Sequence, residues 1–164
     1  MRKKIDLLLV NPGNRLEQFA KLNELATVGP PLGIAMIAAF VRQYGFSVAI
    51  IDAEAFFLTS EQAIDEIEKY EPLLVGLTTF TTKMTAAGKT LRLVKERMPH
   101  VKTMIGGHHA SAIPERTIRE ETVDFVIQGE GYFPTIELLK RLKEERDDFN
   151  IPGVWYKKNN RFVD

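Results

Sequence analysis

The chain has 164 residues, in which 22 lysines and arginines balance 22 aspartates and glutamates, and it contains no cysteine. This length suits one domain with a single core. A formal net charge of zero gives no global positive field that would recruit nucleic acid or an anionic membrane. Without cysteine, the chain itself supplies no disulfide, no thiolate nucleophile and no ligands for an iron–sulfur cluster.

The basic start of the chain resembles the first part of a signal peptide. The apolar run that follows it, Ile5–Val10, is too short for such a peptide and ends at Asn11, Pro12 and Gly13. We therefore expect a soluble cytoplasmic protein that has neither nucleic acid nor a membrane as its partner.

Five apolar runs alternate with segments of helical periodicity. The runs are Ile5–Val10, Ser47–Asp52, Leu73–Thr78, Lys102–Gly106 and Phe125–Gln128. This alternation predicts an α/β fold, a doubly wound parallel sheet with helices on both faces. Ligands of such sheets bind outside the carboxyl ends of the strands, so function is expected at the five strand ends.

Helical spacing and stop signals predict five helices between the strands. They are Pro30–Tyr44, Ser60–Tyr70, a helix carrying Met84 to Met98, Pro114–Glu121 and Pro134–Glu145. Ser60 is the expected N-cap of the second helix, Thr81 or Thr82 that of the third, and Pro72 is expected between helix and strand. Leu16–Ala26 has the spacing of a short amphipathic helix, and the tail reads as a hairpin around Asn159 and Asn160.

Small and hydroxylated residues follow three of the strands. Thr78–Thr82, Gly106–His109 and Gly129–Gly131 stand at the ends of the third, fourth and fifth runs. Glycines let a bulky ligand approach the backbone, and threonines offer hydroxyl groups near a helix start, where anions are favoured. Together they predict a large, partly anionic ligand, although turns, helix caps and a buried Phe80 explain the same residues one at a time.

The histidines and Glu130 allow further interpretations. Adjacent side chains diverge, so His108 and His109 are not expected to form a metal pair. Glu130 is either catalytic or a cap for the fifth helix.

The order and spacing of these segments resemble the N-terminal cobalamin-binding domain of radical-SAM enzymes. The resemblance covers nearly the whole chain and is carried by Pro30–Ala35, Val48–Asp52, Val75–Thr78, Ile105–Ala110 and Asp124–Gly131. It implies a flavodoxin-like (Rossmann-like) five-stranded parallel sheet in the order 2-1-3-4-5, with cobalamin as the cofactor. Residues 1–150 would form the cobalamin-binding domain, and residues 151–164 a hairpin or linker toward a radical-SAM barrel that this chain does not include.

The resemblance also implies a set of cofactor-binding residues. The threonines would line the nucleotide tail, Gly106 and Gly107 would admit its dimethylbenzimidazole, and His109 matches the family's Gly-Gly-x-His stretch. The full set is Asn11, Pro12, Thr78, Thr79, Phe80, Thr81, Gly106, Gly107, His109, Gly129, Glu130 and Gly131. Bulky replacement of Gly106 or Gly107 is expected to abolish binding while the fold survives. No catalytic or metal-ligating residue is assigned.

Two departures from the family pattern limit what the chain can do. The Asp-x-His-x-x-Gly motif that supplies the lower cobalt ligand in cobalamin mutases is absent after strand one, so cobalamin is expected base-off, without a histidine from that loop. The Cys-x-x-x-Cys-x-x-Cys motif is also missing. S-adenosylmethionine and the 4Fe-4S cluster would then belong to the missing domain of a methyltransferase or related oxidoreductase, and the chain is not an enzyme by itself.

Three other functions share this fold. A signalling receiver would need acidic residues where Asn11 and Thr78 stand. A flavodoxin-like domain for a phosphate or nucleotide cofactor would carry its threonine-rich loop after strand one rather than strand three. A docking domain that has lost its ligand is not excluded by fold alone.

Overall fold

A computed structural model describes residues 2–13, 29–120 and 122–158, together with the backbone of a last strand at 161–163. The strands are β1 (Lys3–Asn11), β2 (Val48–Asp52), β3 (Tyr70–Thr78), β4 (Lys102–Gly106), β5 (Phe125–Ile127), β6 (Val154–Lys158) and β7 (Arg161–Val163). The helices are α1 (Leu32–Gln43), α2 (Ser60–Ile67), α3 (Met84–Arg97), α4 (His108–Ala112), α5 (Pro114–Ile118) and α6 (Tyr132–Lys143). A 3-10 turn, Thr81–Lys83, precedes α3.

The strands form one sheet in the order β2-β1-β3-β4-β5-β6-β7. The first five are parallel in the predicted order 2-1-3-4-5, and β1 lies between β2 and β3. The doubly wound, flavodoxin-like fold is therefore confirmed. The strand count differs from the five that were expected, because β6 pairs antiparallel with β5, β7 pairs with β6, and the sheet therefore has seven strands.

Two apolar cores lie on opposite faces of the sheet, as expected for strands covered by helices on both sides. Leu7, Leu9 and Met104 pack with Ile34 of α1 and Leu139 of α6 on one face. The other face carries Leu8, Val75 and Ile105 with residues of α2 and α3. Helices α1 and α6 therefore share one side of the sheet, and the gap between them at the strand ends creates the candidate site.

Two local expectations are corrected by the structure. Pro72 lies inside β3, opposite Ile5 of β1, and is tolerated because pairing with β4 begins only at Leu74. The N-cap of α2 is Thr59 rather than Ser60, since Thr59 and Gln62 form a capping box.

The helix caps expected further along the chain are not formed either. Neither Thr81 nor Thr82 is the N-cap of α3, which begins directly after the 3-10 turn. Glu130 does not cap α6, whose N-cap is Gly131. The predicted helix Leu16–Ala26 and the turn at Asn159 and Asn160 lie outside the described residues. None of the helices within the described ranges is long and apolar enough to span a membrane.

Candidate functional site

A cavity of about 510 Å³ opens at the carboxyl ends of β1, β3, β4 and β5, between α1 and α6. Apolar side chains of the strands, Leu9, Met104 and Ile127, line it from the sheet, and Ile34 and Ile37 line it from α1. We call it the sheet-edge cavity. Its volume lies within the range of small-molecule sites, roughly 300–1,000 Å³, and it occupies the crevice where doubly wound sheets bind ligands.

Glycines set the spacing of the cavity walls. A Cβ atom on Gly76 would lie 2.5 Å from Cε of Met104, so the absence of a side chain lets Met104 lie flat across β3. A Cβ on Gly131 would lie 3.0 Å from Cδ1 of Ile37, which allows α1 and the start of α6 to meet closely. Side chains at these two positions would therefore displace Met104 and Ile37, two residues of the cavity lining.

The hydroxyl of Thr135 on α6 is the unusual polar group of this apolar site. Thr135 is fully buried and lines the cavity, and its Oγ1 atom has no hydrogen-bond partner within the described part of the chain. A buried unpaired hydroxyl costs roughly 1–3 kcal/mol. Such an atom in a cavity wall indicates a place for a ligand with a polar atom at that depth.

Both long helices that border the cavity begin there without a side-chain cap. Pro31 is the N-cap of α1 and Gly131 that of α6, and neither supplies a capping side chain to the first-turn amides. Uncapped helix N-termini favour anionic groups, because their amides point outward and carry the positive end of the helix dipole. The cavity thus combines an apolar interior with a rim suited to an anion.

A polar network lies at the mouth, at the ends of β1 and β2. The amide of Asn11 donates to Oδ1 of Asp52 at 2.8 Å, and Nζ of Lys83 donates to Oδ1 of Asn11 at 3.1 Å. Lys83 also pairs with Glu54 at 3.7 Å, and both side chains are about five-sixths buried. Asn11 is therefore held in place by its neighbours. As an asparagine, it offers a ligand neither an imidazole nor a carboxylate.

The ends of β3 and β4 are tied together by Thr79. Its amide and hydroxyl both donate to the carbonyl of Gly106, at 2.9 and 3.1 Å, and its own carbonyl accepts from the amide of His109 at 3.2 Å. The side chain is 1% exposed. Thr79 therefore fixes the connection between β4 and α4 instead of facing the cavity.

The two glycines after β4 have different roles. Gly107 adopts φ +98°, and a Cβ there would lie 2.8 Å from the carbonyl oxygen and 2.9 Å from the amide nitrogen of Thr79. Glycine at this position is required by the fold itself, so the expectation that bulky replacement leaves the fold intact does not extend to Gly107. A Cβ on Gly106 would meet only Ile127, at an ordinary 3.7 Å.

Eight of the twelve residues predicted for the site line the sheet-edge cavity: Asn11, Thr78, Phe80, Gly106, Gly107, Gly129, Glu130 and Gly131. Thr81 and His109 line a separate cavity beside α3, with His109 Nδ1 3.0 Å from the Thr81 hydroxyl. Pro12 is buried beyond the end of β1 and is not part of the lining.

Sequence reasoning missed part of the lining. Pro30 and Pro31 precede α1, Ile37 lies in α1, Thr135 in α6 and Lys83 in the 3-10 turn, and His108 rather than His109 lines this cavity. The Pro30-Pro31 pair predicts a helix start and contributes to the family resemblance, but neither marks these two residues as part of a cavity wall. Nothing in the sequence marks Thr135, because a threonine inside a helix is usually unremarkable.

The family model described as the B12 binding domain matches residues 21–139 of the chain. An uncharacterised methyltransferase of Pyrococcus horikoshii is 35% identical over 160 residues, a match that covers 97% of this chain and 34% of that protein.

Solved structures share the fold. The radical S-adenosylmethionine methyltransferase TsrM from Kitasatospora setae, with cobalamin and an iron–sulfur cluster bound, has a TM-score of 0.74 at 20% identity and matches 99% of this chain over 28% of its own. The cobalamin-dependent S-adenosylmethionine radical enzyme OxsB, with aqua-cobalamin and S-adenosylmethionine bound, has a TM-score of 0.78 at 20% identity, covering 97% of this chain and 22% of its own. The chain thus spans about a third or less of the length of these proteins.

Proposed function

Because the chain belongs to the B12 binding domain family, we propose that the sheet-edge cavity receives the nucleotide tail of cobalamin in its base-off form, with the corrin over the carboxyl edge of the sheet. The observation that carries the proposal is the chemistry of that cavity. An apolar interior of about 510 Å³ suits a flat benzimidazole, and the two uncapped helix N-termini at its rim suit the phosphodiester of the tail.

Different residues of the cavity would contact different parts of the ligand. Leu9, Met104 and Ile127 bury the apolar base against the sheet, while the small residues Gly106 and Gly131 leave room for it. The hydroxyl of Thr135, which has no hydrogen-bond partner among the described residues, would gain one in the polar edge of the base. Burial of the base and satisfaction of this hydroxyl then favour binding together.

The mouth of the cavity supports a base-off mode. Asn11 stands at the end of β1, where cobalamin mutases carry the start of their histidine motif, and its side chain is engaged by Asp52 and Lys83. With the base drawn into the cavity and no histidine in the loop after β1, cobalt would lack a lower ligand from either source. Cobalamin, when bound, supplies a cobalt centre that can carry and transfer a methyl group.

We further propose that the domain serves a radical-SAM methyltransferase or a related oxidoreductase. Two features support this. The Pyrococcus protein, a methyltransferase by name, is about three times as long as the matched segment, and the solved structures that share the fold are those of radical S-adenosylmethionine enzymes. S-adenosylmethionine and the 4Fe-4S cluster would then be held by a companion barrel, which would also cover the exposed face of the corrin. The proposed location of the whole protein is the cytoplasm.

The test is a visible-spectrum titration of the purified chain with hydroxocobalamin and methylcobalamin, followed by desalting. Retained colour with a base-off spectrum is the expected result. A base-on spectrum would contradict the tail assignment while leaving cobalamin binding in place.

Gly106→Leu serves as the matched control, because it fills the cavity without a backbone clash. A colourless wild-type peak calls for the same titration on a longer polypeptide that carries the cysteine motif. Loss of colour there as well would favour the docking domain that has lost its ligand.

A further inference from the structure

A second cavity, of about 600 Å³, lies on the opposite face of the sheet between α3 and the α4–α5 pair. We call it the α3–α5 cavity. Its floor is apolar, with Met84, Leu91, Ile105 and Val123. Its rim carries three cationic side chains, Lys89, Arg92 and Arg116, one imidazole, His109, and a single carboxylate, Glu120.

Two of these cations have no partner within the part of the chain that the structure describes. Neither Arg92 nor Arg116 forms a hydrogen bond or an ion pair through its side chain with any described residue. The neighbouring cations are all paired: Lys89 with Glu61 at 2.7 Å, Lys95 with Asp124 and Arg97 with Asp65 at 2.8 Å. Even Glu120, one helical turn after Arg116, makes no ion pair with it.

The excess of cationic side chains at this rim makes the local electrostatic potential positive. Like charges brought into one concave site raise the local potential and attract a counter-ion, more strongly where apolar walls exclude water. Guanidinium groups are suited to oxyanions, because their planar array of donors matches two oxygens at once. Hydroxyls of Thr81, Thr85 and Thr122 add further donors on the same lining.

Gly88 supports the same conclusion from the backbone. It lies inside α3, where glycine is the least favourable residue after proline, and its φ is not positive. A Cβ atom there would meet nothing within 4 Å, so packing in the protein does not require glycine. The open space is the cavity itself, which Gly88 lines.

We propose that the α3–α5 cavity binds the oxyanionic group of a small molecule, a phosphate ester or a carboxylate, between Arg92 and Arg116. The site is separate from the sheet-edge cavity and does not depend on cobalamin. The apolar floor would contact the uncharged part of the ligand, and the rim would hold its anionic end.

The test is calorimetric titration of the apo chain at low ionic strength with inorganic phosphate, pyrophosphate and citrate as probes. We expect saturable binding of at least one probe in the millimolar range or tighter, weakened by added sodium chloride. Tighter binding of the two phosphates assigns a phosphate ester, and tighter binding of citrate assigns a carboxylate. No saturable binding of any probe overturns the proposal.

Variants separate a built site from diffuse attraction. Arg92→Gln and Arg116→Gln should each weaken binding about tenfold or more, the loss expected for a charge-assisted contact. Arg119→Gln is the control, because it removes the same charge three residues away from Arg116, outside the lining. An equal loss in Arg119→Gln contradicts the proposal.

Gly88→Leu keeps every charge and a good helix former while filling the cavity, and should abolish binding with an unchanged circular dichroism spectrum. Full binding by Gly88→Leu would place the anion elsewhere.

Discussion

The imidazole of His108 stacks on the ring of Phe80, with the centroids 4.9 Å apart and the planes inclined by 14°. Phe80 follows β3 and His108 begins α4, so the pair bridges two strand ends at the mouth of the sheet-edge cavity. Phe80 is nevertheless 52% exposed. A half-exposed flat pair at a cavity mouth is a surface on which a large ligand would rest.

Phe80→Ala should therefore weaken cobalamin binding by about five- to tenfold, since it removes one contact face of roughly 1 kcal/mol. Stability should change little, because half of the ring already faces water. Phe133→Ala is the matched control: Phe133 is 64% exposed on α6 and does not line the cavity. Equal affinities of the two variants in the visible-spectrum titration would count against the proposed corrin position.

Replacement of Thr135 by valine should act in opposite directions on stability and binding. Valine has nearly the same shape and removes the unpaired hydroxyl, so the free energy of unfolding of the apo chain should rise by about 1 kcal/mol. Cobalamin affinity should fall about tenfold, because the ligand loses a hydrogen-bond partner. Urea unfolding measures the expected rise in stability, and cobalamin titration of the same sample measures the expected fall in affinity. A fall in stability would show that the hydroxyl is already satisfied in the apo protein.

Substitutions at the two glycines after β4 should differ in their effects on stability and on cobalamin binding. Gly107→Ala should destabilise the chain by roughly 1–3 kcal/mol, since alanine at φ +98° is strained and its Cβ meets the backbone of Thr79. Gly106→Leu should leave the midpoint of thermal unfolding close to that of the wild type and prevent cobalamin uptake. Differential scanning calorimetry with and without hydroxocobalamin distinguishes the two. Normal uptake by Gly106→Leu would remove Gly106 from the site.

Asp6 predicts how stability depends on pH. Partial burial acts to raise the pKa of its carboxyl, but hydrogen bonds from the Ser47 amide, from Lys143 and from the Ser47 hydroxyl outweigh it and lower the pKa below its ordinary value of 3.8. A lowered folded-state pKa gives stability that is present above 3.8 and is lost as the pH falls through the folded value. Asp6→Asn should therefore be less stable by about 1 kcal/mol at neutral pH, and this difference should shrink in acid.

The control for Asp6 is Asp147→Asn, at an exposed carboxylate. Urea unfolding at neutral pH and at about pH 3 tests the prediction. A constant difference between wild type and Asp6→Asn across that range would refute it.

The doubly wound parallel architecture and the edge that carries the candidate site could be predicted from local pattern, whereas the strand order 2-1-3-4-5 was implied by the resemblance to the cobalamin-binding family. Apolar runs separated by helices specify parallel strands, and the switch point beside β1 follows from their order. Addition of β6 to the edge at β5 could not be predicted, since a two-strand pattern does not specify its neighbour.

The individual site residues were harder to predict because side-chain direction depends on helix phase. Successive helical residues point about 100° apart, so the start of α4 at His108 places His108 in the sheet-edge cavity and His109 in the α3–α5 cavity. Divergence of the two histidines was expected from the sequence. Which of them faces which cavity depends on where the helix begins, and that is fixed by the bonds of Thr79 to Gly106 and His109.

The short stretch from Gly106 to His109 is therefore a wall shared by two chambers. Gly106, Gly107 and His108 face one of them, His109 faces the other, and the same buried threonine anchors both ends of the stretch. Because these four residues are consecutive, a shift of their backbone would alter the lining of both chambers at once. Insertion of a single residue before His108 would turn His108 toward the α3–α5 cavity and His109 toward the buried position that Ala110 now occupies.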